Sequence, residues 1–586
     1  MQIKKTYKNI VIFVVFIIFT VILSLSAFSY VPNDPLYPQQ WHLGKISMQQ
    51  AWDIKRDYHT DVKIGVIDSG VDLTHEDLEN IYGSQYIMHH TSVRSDHGAM
   101  VAGVIMANIG NKTDNAGNYL GPAVGISGVI QKPNVVHYQA SDNTGDTDID
   151  YVTDAIIDAS KLSRGIQILN ISSGFNEAYL TNTEIANLKT ACMNFPGLII
   201  CSAGNTGTNI DAFKYYPASF DLPNIIVVGA TNENDNKWNN MYGISNIGAT
   251  SVDLFAPGTN ILTTYPFELC NGITQNYSCG HRHTHYANGY HTVQGTSFAA
   301  PQVTGVAAMI KALRPSFTTA QIKAAILDSV DQKASLSGLC VTGGRLNANK
   351  ALRKAAAGYS SGTLEDGENG SGWAWNSLMP NVPIDVHVYI WKTSTVNKTL
   401  SNAIWSSQTT AGIYRSDLAA QGKGNGCHGF QMNIPWSTFA NDNYTVSAYA
   451  VDGSGNNPQL TNIKTVNVEY YTLTLYDNDG TNHKTENKYK KNTPVQLSSI
   501  ERSGYLFEGW AFTSGPTMPV YLDGESITIT NNITLYAVWY NLNTYTVTYD
   551  ANGGSGTMPV QTISGGFGQL NANIPSPGRT IPLAAG

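Results

Sequence analysis

Residues 295–301 read GTSFAAP, a serine placed between a Gly-Thr pair and a run of small residues that ends in proline. Glycine permits a sharp turn into a helix, and small residues allow that helix to pack closely against its neighbours. The free N–H groups at the start of a helix favour negative charge nearby, which suits a nucleophilic serine. The alternative is a plain capping serine, because serine is common at helix starts. Ser297 is therefore a candidate nucleophile.

Two other stretches carry the residue types that such a serine needs. Residues 62–70 read VKIGVIDSG, a strand-length apolar run that ends in Asp68 at a Ser-Gly turn. Residues 97–103 read HGAMVAG, in which His97 opens a helix of small residues. A serine hydroxyl needs a base to take its proton, and that base needs an acid to hold its tautomer and stabilise its charge. Asp68, His97 and Ser297 supply these types in the chain order Asp, His, Ser.

Together, residues 68–70, 97–98 and 295–301 resemble the three active-site signatures of the subtilisin-like serine proteases. The resemblance extends over residues 31–357, and the motifs occur in the family's order. It implies a serine endopeptidase in which Asp68 is the orienting acid, His97 the general base and Ser297 the nucleophile. It also implies that the substrates are proteins or peptides.

A fourth motif supplies a candidate for stabilising negative charge. Residues 198–201 read as a buried strand, and SAGN follows at residues 202–205. The resemblance implies that the side-chain amide of Asn205 donates a hydrogen bond to the oxyanion of the tetrahedral intermediate. The alternative is an asparagine that serves only the turn, where its local hydrogen bonds are favoured.

Two short segments resemble the walls of the family's primary specificity pocket. Residues 169–174, LNISSG, resemble the strand to which an extended peptide substrate adds. The family usually has leucine where this chain has Ser173, so the side-chain preference is not readable from the motif. The implied substrate-binding residues are Ser172, Ser173, Gly174, Ser202, Ala203 and Gly204.

The resemblance also implies a structural calcium ion. Asp77 stands where the family has a calcium-ligating aspartate, and residues 108–118 are rich in the oxygen donors that a hard cation requires. This loop is longer than the family's usual calcium loop. A solvated polar loop is the alternative, and we assign no ligand beyond Asp77.

An insertion at residues 267–293 is rich in cysteine and histidine. A disulfide between Cys270 and Cys279 without a metal is our preferred interpretation, because an exported protein can form disulfides. Histidines at alternating positions of a strand are also an arrangement that binds zinc or copper. The three histidines at alternating positions are His281, His283 and His285, and the insertion also contains His291.

The chain begins with the layout of a secretory signal. Lysines precede an uncharged run at residues 10–28, and Ala27-Phe28-Ser29 offers a small-x-small cleavage site. We expect residues 1–29 to be a signal peptide, with an uncleaved membrane anchor as the alternative. Either outcome places the enzyme outside the cytoplasm, secreted or at the cell surface. No segment between this signal and the enzyme is long enough for an inhibitory propeptide.

Composition is consistent with an exported enzyme of several domains. The chain has 586 residues, of which 42% are hydrophobic and 13% charged, with a formal net charge of -8. Nothing in this balance indicates a nucleic-acid partner, and we expect a monomer. Strands and helices alternate over residues 30–357, with near-continuous Val and Ile runs. This pattern predicts an α/β fold with a mostly parallel sheet and helices on both faces.

The pattern changes after residue 357. Residues 358–372 are rich in Ser, Gly, Asp and Glu and predict a flexible linker, and residues 373–469 alternate with a period of two, which predicts a β-sandwich. Residues 470–541 and the partial copy 542–586 resemble the internalin B-type repeat of bacterial surface proteins, a β-grasp-like module suited to surface association. Trp373, Trp375 and Trp391 are expected to pack in a core, with sugar stacking as the alternative.

The sequence therefore predicts an exported subtilisin-like endopeptidase with β-rich carboxy-terminal modules. It hydrolyses peptide bonds through an acyl-enzyme in this interpretation. The alternative is a surface adhesin or binding protein whose protease domain is incidental or inactive.

Overall fold

The computed structural model describes residues 30–55, 62–72, 75–78, 83–87, 96–110, 112–113, 119–121, 125–141, 147–266, 277–279, 283–286, 289–452, 457–515, 518–542, 544–547 and 561–564. The predicted signal segment 1–29 lies outside these residues, as does most of the partial second repeat. Within the described ranges, no helix is long and apolar enough to cross a membrane.

A nine-stranded sheet forms the centre of the first unit. Its strands in chain order are β1 (Lys63–Asp68), β2 (Gly83–Ile87), β3 (Asn134–Gln139), β4 (Ile166–Ile171), β5 (Leu198–Ser202), β6 (Ile225–Thr231), β7 (Leu254–Pro257), β8 (Asp331–Gln332) and β9 (Gly344–Arg345). Their spatial order is β8-β9-β7-β6-β5-β4-β1-β3-β2. All neighbours run parallel except β8 and β9. This arrangement confirms the predicted mostly parallel α/β sheet.

Helices cover both faces of this sheet. Alternate residues of one strand face opposite sides, so Val66 of β1 belongs to one apolar cluster and Ile67 to the other. The helices are α1 (Trp41–Lys45), α2 (Met48–Ile54), α3 (Asp96–Met106), α4 (Ile149–Ala159), α5 (Asn182–Asn194), α6 (Thr296–Leu313), α7 (Thr319–Leu327) and α8 (Ala348–Ala355). Helices α3 and α6 pack in the cluster that contains Val66, and helices α4 and α5 pack in the cluster that contains Ile67, so each pair covers one face of the sheet.

Several two-stranded ribbons and one small sheet lie outside the central sheet of the first unit. Phe175–Asn176 pairs with Tyr215–Tyr216, and Asn239–Asn240 pairs with Gly243–Ile244. The predicted histidine-rich insertion contributes to a four-stranded sheet of Ile261–Thr264, Tyr290–Val293, His283–Tyr286 and Tyr277–Cys279. A further ribbon joins Lys112–Thr113 to Tyr119–Gly121.

A β-sandwich of two four-stranded sheets forms the second unit. Its strands are β10 (Ser360–Asp366), β11 (Ser371–Asn376), β12 (Ile384–Lys392), β13 (Trp405–Ala411), β14 (Ile413–Tyr414), β15 (Cys427–Phe430), β16 (Asp442–Val451) and β17 (Lys464–Val468), with a short helix α9 (Ser416–Ala420). The sheet orders are β10-β11-β15-β14 and β13-β12-β16-β17.

The predicted flexible linker at residues 358–372 is wrong. Residues 360–366 form strand β10, and β11 starts at Ser371. Gly362 lies at a strand position where the partner backbone approaches closely: a Cβ added to it would lie 2.2 Å from the carbonyl oxygen of Trp373. Composition alone does not distinguish such a strand from a linker, because both are depleted of large side chains.

The first two units share one hydrophobic core. A single cluster of buried residues contains Leu352 of α8, Ala374 of β11 and Val386 of β12. Buried Asn376 donates from Nδ2 to the carbonyl oxygen of Ala356, at the end of the first unit, over 3.0 Å. The sandwich is therefore joined to the α/β unit by packing and hydrogen bonds as well as by the chain.

The third unit has its own apolar cluster, which includes Leu473, Trp510 and Leu535. Its strands are β18 (Tyr470–Tyr476), β19 (Lys484–Lys490), β20 (Thr493–Gln496), β21 (Tyr505–Ala511), β22 (Ser526–Ile529) and β23 (Ile533–Asn541). Four of them form the sheet β19-β18-β23-β21, and β20 pairs with β22. A last pair, β24 (Thr544–Val547) with β25 (Gln561–Ser564), belongs to the predicted partial repeat.

Candidate active site

The central strand β1 places a carboxylate at the carboxyl edge of the sheet. Asp68 is the last residue of β1, and its side chain is only 3% exposed. Its Oδ1 atom lies 2.7 Å from Nδ1 of His97 and accepts a hydrogen bond from the backbone N–H of Ser69, also at 2.7 Å. The structure thus brings together the first two residues of the predicted triad. Parallel sheets collect functional groups at this edge, because all their strands end there.

His97 is held by the start of helix α3. A Cβ added to Gly98 would lie 2.3 Å from the carbonyl oxygen of Ser69, so only glycine allows this close approach. The N–H of Gly98 donates to Oγ of Ser69 over 2.7 Å. Ser69 therefore fixes both the carboxylate of Asp68 and the helix that carries the imidazole. That imidazole is 37% exposed, which leaves it accessible to a substrate.

A second histidine, His137 of β3, supports the same turn and was missed by sequence reasoning. Its Nε2 atom is within hydrogen-bonding contact of the carbonyl oxygen of Ser69. Burial lowers the pKa of His137, so the ring is neutral and donates this bond. A histidine inside the apolar strand NVVHYQ was the available signal.

Helix α6 presents Ser297 at its second position. Gly295, just before the helix, has φ = 143°, a conformation that L side chains rarely adopt. The Oγ of Ser297 donates to the carbonyl oxygen of Ser172 over 3.0 Å, and the Oγ of Ser172 donates back to the carbonyl oxygen of Ser297 over 3.0 Å. The ring of Phe298, the next residue, is centred 5.5 Å from the imidazole of His97. These contacts place the start of α6 beside the Asp68–His97 pair.

Asn205 has a defined amide orientation. Its Oδ1 accepts hydrogen bonds from the backbone N–H of Thr296, at 2.9 Å, and from Oγ1 of Thr296, at 2.7 Å. A backbone N–H can only donate, so the oxygen must face Thr296 and the Nδ2 donor must face the other way. Thr296 is held in turn by the N–H of Gly204, which donates to its Oγ1 over 3.1 Å. Asn205 is exposed and its donor is available to a ligand.

The predicted substrate-binding residues lie at the carboxyl ends of two neighbouring strands. Ser172, Ser173 and Gly174 follow β4, whereas Ser202 ends β5 and is followed by Ala203 and Gly204. Strands β4 and β5 are parallel, with Ile171 opposite Cys201, so the two segments leave the sheet side by side. A buried chain of hydrogen bonds links Thr304 to Asn170 and Asn170 to Ser172, which joins the first segment to α6. The geometry is that of two adjacent walls; which substrate they bind stays a prediction.

Two buried carboxylates mark the predicted calcium site. The Oδ2 of Asp77 accepts from the N–H of Ile126 over 2.8 Å, and its Oδ1 is buried without a hydrogen-bond partner among the described residues. Asp34, which sequence reasoning missed, accepts from the N–H of Gly110 at 2.9 Å and from Oγ of Ser127 at 2.5 Å. Burial raises the pKa of Asp34 to about 6. Burial also raises the pKa of Asp77 well above its usual range, and the negative charge of Asp34 raises it further.

This pair fits a divalent cation in charge and donor type, since calcium binds carboxylate oxygens and would relieve the cost of two buried negative groups. The predicted ligand loop 108–118 is described only in part. Within the described residues, no group of three or more acidic, His or Cys side chains is arranged so that it could hold a metal ion.

The histidine-rich insertion is only partly described. Cys270 and His281 lie outside the described residues, and for Cys279, His283 and His285 only the strand positions are known. His285 pairs with His291 across two antiparallel strands, and the buried ring of His291 is centred 4.9 Å from that of Tyr265. The disulfide and the metal alternative both stay predictions. The four cysteines with described side chains, Cys192, Cys201, Cys340 and Cys427, are free.

The tryptophans of the sandwich divide into two groups. Trp391 is 2% exposed and donates from Nε1 to the carbonyl oxygen of Thr399, which agrees with core packing. Trp373 and Trp375 are partly exposed, and Nζ of Lys423 lies 4.9 and 5.3 Å from their ring centres. The ammonium group of Lys423 therefore makes cation–π contacts with both rings.

Comparison with known proteins gives two family matches. Residues 59–358 match the model of the subtilase family, and residues 471–538 match a Listeria-Bacteroides repeat domain. Thermitase of Thermoactinomyces vulgaris is 29% identical over 329 residues, which cover 55% of this chain and 100% of that protein. A thermophilic serine proteinase of Bacillus sp. (strain AK1) is 29% identical over 55% of this chain and 70% of its own length. A solved protease structure from Pseudoalteromonas arctica aligns with a TM-score of 0.43 at 24% identity, over 56% of this chain and 100% of that one.

Proposed function

Because this chain belongs to the subtilase family and is a subtilisin-like serine protease, we propose that it cleaves internal peptide bonds of extracellular proteins through an acyl-enzyme. The observation that carries the catalytic part is the 2.7 Å contact between Asp68 Oδ1 and His97 Nδ1, beside the helix start that bears Ser297. This contact assigns the Nδ1 proton to the side facing Asp68, so the lone pair of a general base lies on Nε2.

The first step is attack by Ser297. Its Oγ leaves the carbonyl of Ser172 by rotation about the Cα–Cβ bond, a change between staggered rotamers, and passes its proton to Nε2 of His97. The oxygen adds to the substrate carbonyl, and Asp68 stabilises the imidazolium that forms. The release of one weak hydrogen bond is a small cost beside the barrier that the reaction must cross.

The second requirement is stabilisation of the oxyanion. Nδ2 of Asn205 and the backbone N–H of Ser297 are the proposed donors, since the contacts of Thr296 turn the amide nitrogen of Asn205 outward. A donor fixed before the reaction needs no reorganisation when the charge develops. His97 then gives its proton to the leaving amine. In the second half of the reaction, His97 takes a proton from a water molecule that attacks the acyl group, and the proton returns to Ser297 as the acyl group is released.

Substrate binding is assigned to the two segments at the ends of β4 and β5. Residues 172–174 offer backbone groups to an extended peptide, a mode of binding that accepts many sequences because it uses the main chain. Residues 202–204 form the facing wall. Peptides and proteins are therefore the proposed partners, and the net charge of -8 gives no support for a nucleic acid.

A calcium ion is proposed between Asp34 and Asp77. When bound, it would supply positive charge to two buried carboxylates and tie the amino-terminal segment to the loop after α3. Addition of a chelator should lower the melting temperature of the parent protein. The Asp77→Asn variant should start lower and respond less to the chelator. A parent whose melting temperature ignores the chelator would contradict the site.

The remaining assignments concern location and accessory units. A basic and then apolar amino-terminal segment supports export, with residues 1–29 as the signal, and the repeat at residues 470–541 supports association with the cell surface. We propose a monomer whose sandwich belongs structurally to the enzyme. Sequencing the amino terminus of the exported protein tests cleavage after Ser29, and an intact terminus would favour the membrane anchor.

A serine-reactive phosphonate probe tests the proposed chemistry directly. We expect it to label the parent protein at Ser297 and to leave Ser297→Ala unlabelled, while His97→Ala should label far more slowly because the base is lost. Matching unfolding curves for the three proteins would exclude misfolding as the cause. A folded parent protein that the probe does not label would favour the binding protein with an inactive protease domain.

A further inference from the structure

The slot between the two proposed pocket walls holds a side chain of the protein itself, Tyr215. This residue belongs to the short strand Tyr215–Tyr216, which pairs with Phe175–Asn176. Phe175 directly follows the first wall, residues 172–174. The ribbon therefore bends back from one wall and carries Tyr215 towards the space beside it.

The position of the ring is defined by two glycines. A Cβ added to Gly174 would lie 2.4 Å from Cε1 and 2.8 Å from Cζ of Tyr215. A Cβ added to Gly204 would lie 2.9 and 3.1 Å from the same two atoms. Gly174 belongs to the first wall and Gly204 to the second, so one edge of the tyrosine ring contacts both walls at once. Space between the walls that a substrate side chain would need is occupied by that edge.

Neighbouring hydrogen bonds hold the backbone of Tyr215 and the second wall in place. The backbone N–H of Tyr215 donates to Oγ of Ser219 over 2.9 Å, and the N–H of Ser219 donates to the carbonyl oxygen of Tyr215 over 2.8 Å. Behind the second wall, Nδ2 of Asn246 donates to the carbonyl oxygen of Ala203 over 2.8 Å. The backbone N–H of Asn246 donates to the carbonyl oxygen of Gly204 over 2.9 Å. Burial also raises the pKa of Tyr215 to about 12.

From this geometry we infer that Tyr215 closes the primary specificity pocket, so that the enzyme cleaves after small residues such as glycine, alanine and serine. The inference rests on the proposed function, because it assigns the slot to the residue on the amino side of the scissile bond. Large side chains are excluded by overlap with the ring, since protein interiors tolerate little added volume. The glycines at positions 174 and 204 then serve to admit the tyrosine ring.

The test compares peptide substrates that differ only at the residue before the scissile bond, with alanine, leucine or phenylalanine there. We expect the parent enzyme to prefer alanine to phenylalanine in kcat/KM. In Tyr215→Gly the ratio of phenylalanine to alanine should rise by roughly 10²-fold or more, since even a single methylene changes discrimination by about 10- to 200-fold. Tyr215→Phe is the matched control, which keeps the ring and should keep the parent preference.

Titration of active sites with the phosphonate probe distinguishes failure of the proposed function from failure of the inference about Tyr215. A parent protein without titratable sites contradicts the proposed function itself. A fully titrated parent that cleaves after phenylalanine as fast as after alanine overturns the inference about Tyr215, whatever the variants do. Tyr215→Leu provides an intermediate volume in case Tyr215→Gly does not fold, and an unchanged ratio in that titrated variant would also count against the inference.

Discussion

Asn376 gives a measurable test of whether the α/β unit and the sandwich unfold together. Its side chain is fully buried and makes hydrogen bonds to three groups: Nδ2 donates to the carbonyl oxygen of Ala356 (3.0 Å) and to Oγ of Ser360 (3.1 Å), and Oδ1 accepts from the N–H of Leu378 (2.9 Å). A hydrogen bond contributes about 1 kcal/mol net, so Asn376→Ala should lower the free energy of unfolding by about 3 kcal/mol. Domains of this size are stable by about 5–15 kcal/mol, so the variant should still fold.

Hydrogen exchange followed by mass spectrometry is the appropriate assay, because it reports both units separately. The measurements are made in the Ser297→Ala background, which prevents self-digestion. If the shared core makes the two units one cooperative body, peptides from α6 and from β12 should both exchange roughly 10²-fold faster in Asn376→Ala. Asn467→Ala is the control, since this exposed residue makes a side-chain bond within the sandwich only, to Asn443.

Loss of protection confined to the sandwich would refute this reasoning. Peptides from β12 would then exchange faster while those from α6 kept their protection, and the sandwich would be an independent module. In that case the α/β unit could be produced on its own by ending the chain after residue 357. With a shared core, ending the chain there exposes apolar surface around Leu352, and a folded protein needs residues up to 468.

Two further predictions concern the oxyanion donor and the acid stability of the protein. Asn205→Ala should lower kcat by about 10²–10³ with little change in KM, because one oxyanion donor is lost. Thr296→Val, which removes one of the two bonds to Oδ1 of Asn205, should lower kcat roughly tenfold, and unchanged kcat in both variants would refute the assignment. Burial lowers the pKa of His42 to about 3 from the usual 6.5. Between these pH values the unfolded chain binds a proton at this residue and the folded chain does not. The contribution of His42 to the free energy of unfolding is therefore intact above pH 6.5 and is lost as the pH falls. When the pH is lowered from 7.5 to 4.5, the free energy of unfolding measured in urea should fall by about 2–3 kcal/mol less in His42→Leu than in the parent. Equal decreases in the two proteins would contradict this prediction.

Family, fold class and enzyme class were readable from the sequence because each rests on local chemistry. The turn after Asp68, the glycine before Thr296 and the strand before Asn205 need particular residue types within a few positions of one another. Parallel strands buried on both faces also leave a local trace, the near-continuous Val and Ile runs. For these features the chemistry constrains neighbours in the chain, and a motif preserves it.

The features that sequence reasoning missed depend on residues far apart in the chain. Asp34 acquires its role from Ser127 and Gly110, Tyr215 from Gly174 and Gly204, and His137 from Ser69. The predicted linker failed for the same reason, since strand β10 is defined by its partner β11 and by the core that it shares with α8. Sequence by itself determined which chemical groups are available and where strands end. Only the tertiary structure decided which carboxylates form a pair, which side chain fills the slot between the pocket walls and which residues share a core. Contacts between residues far apart in the chain depend on packing, and packing leaves no periodic signal in the sequence.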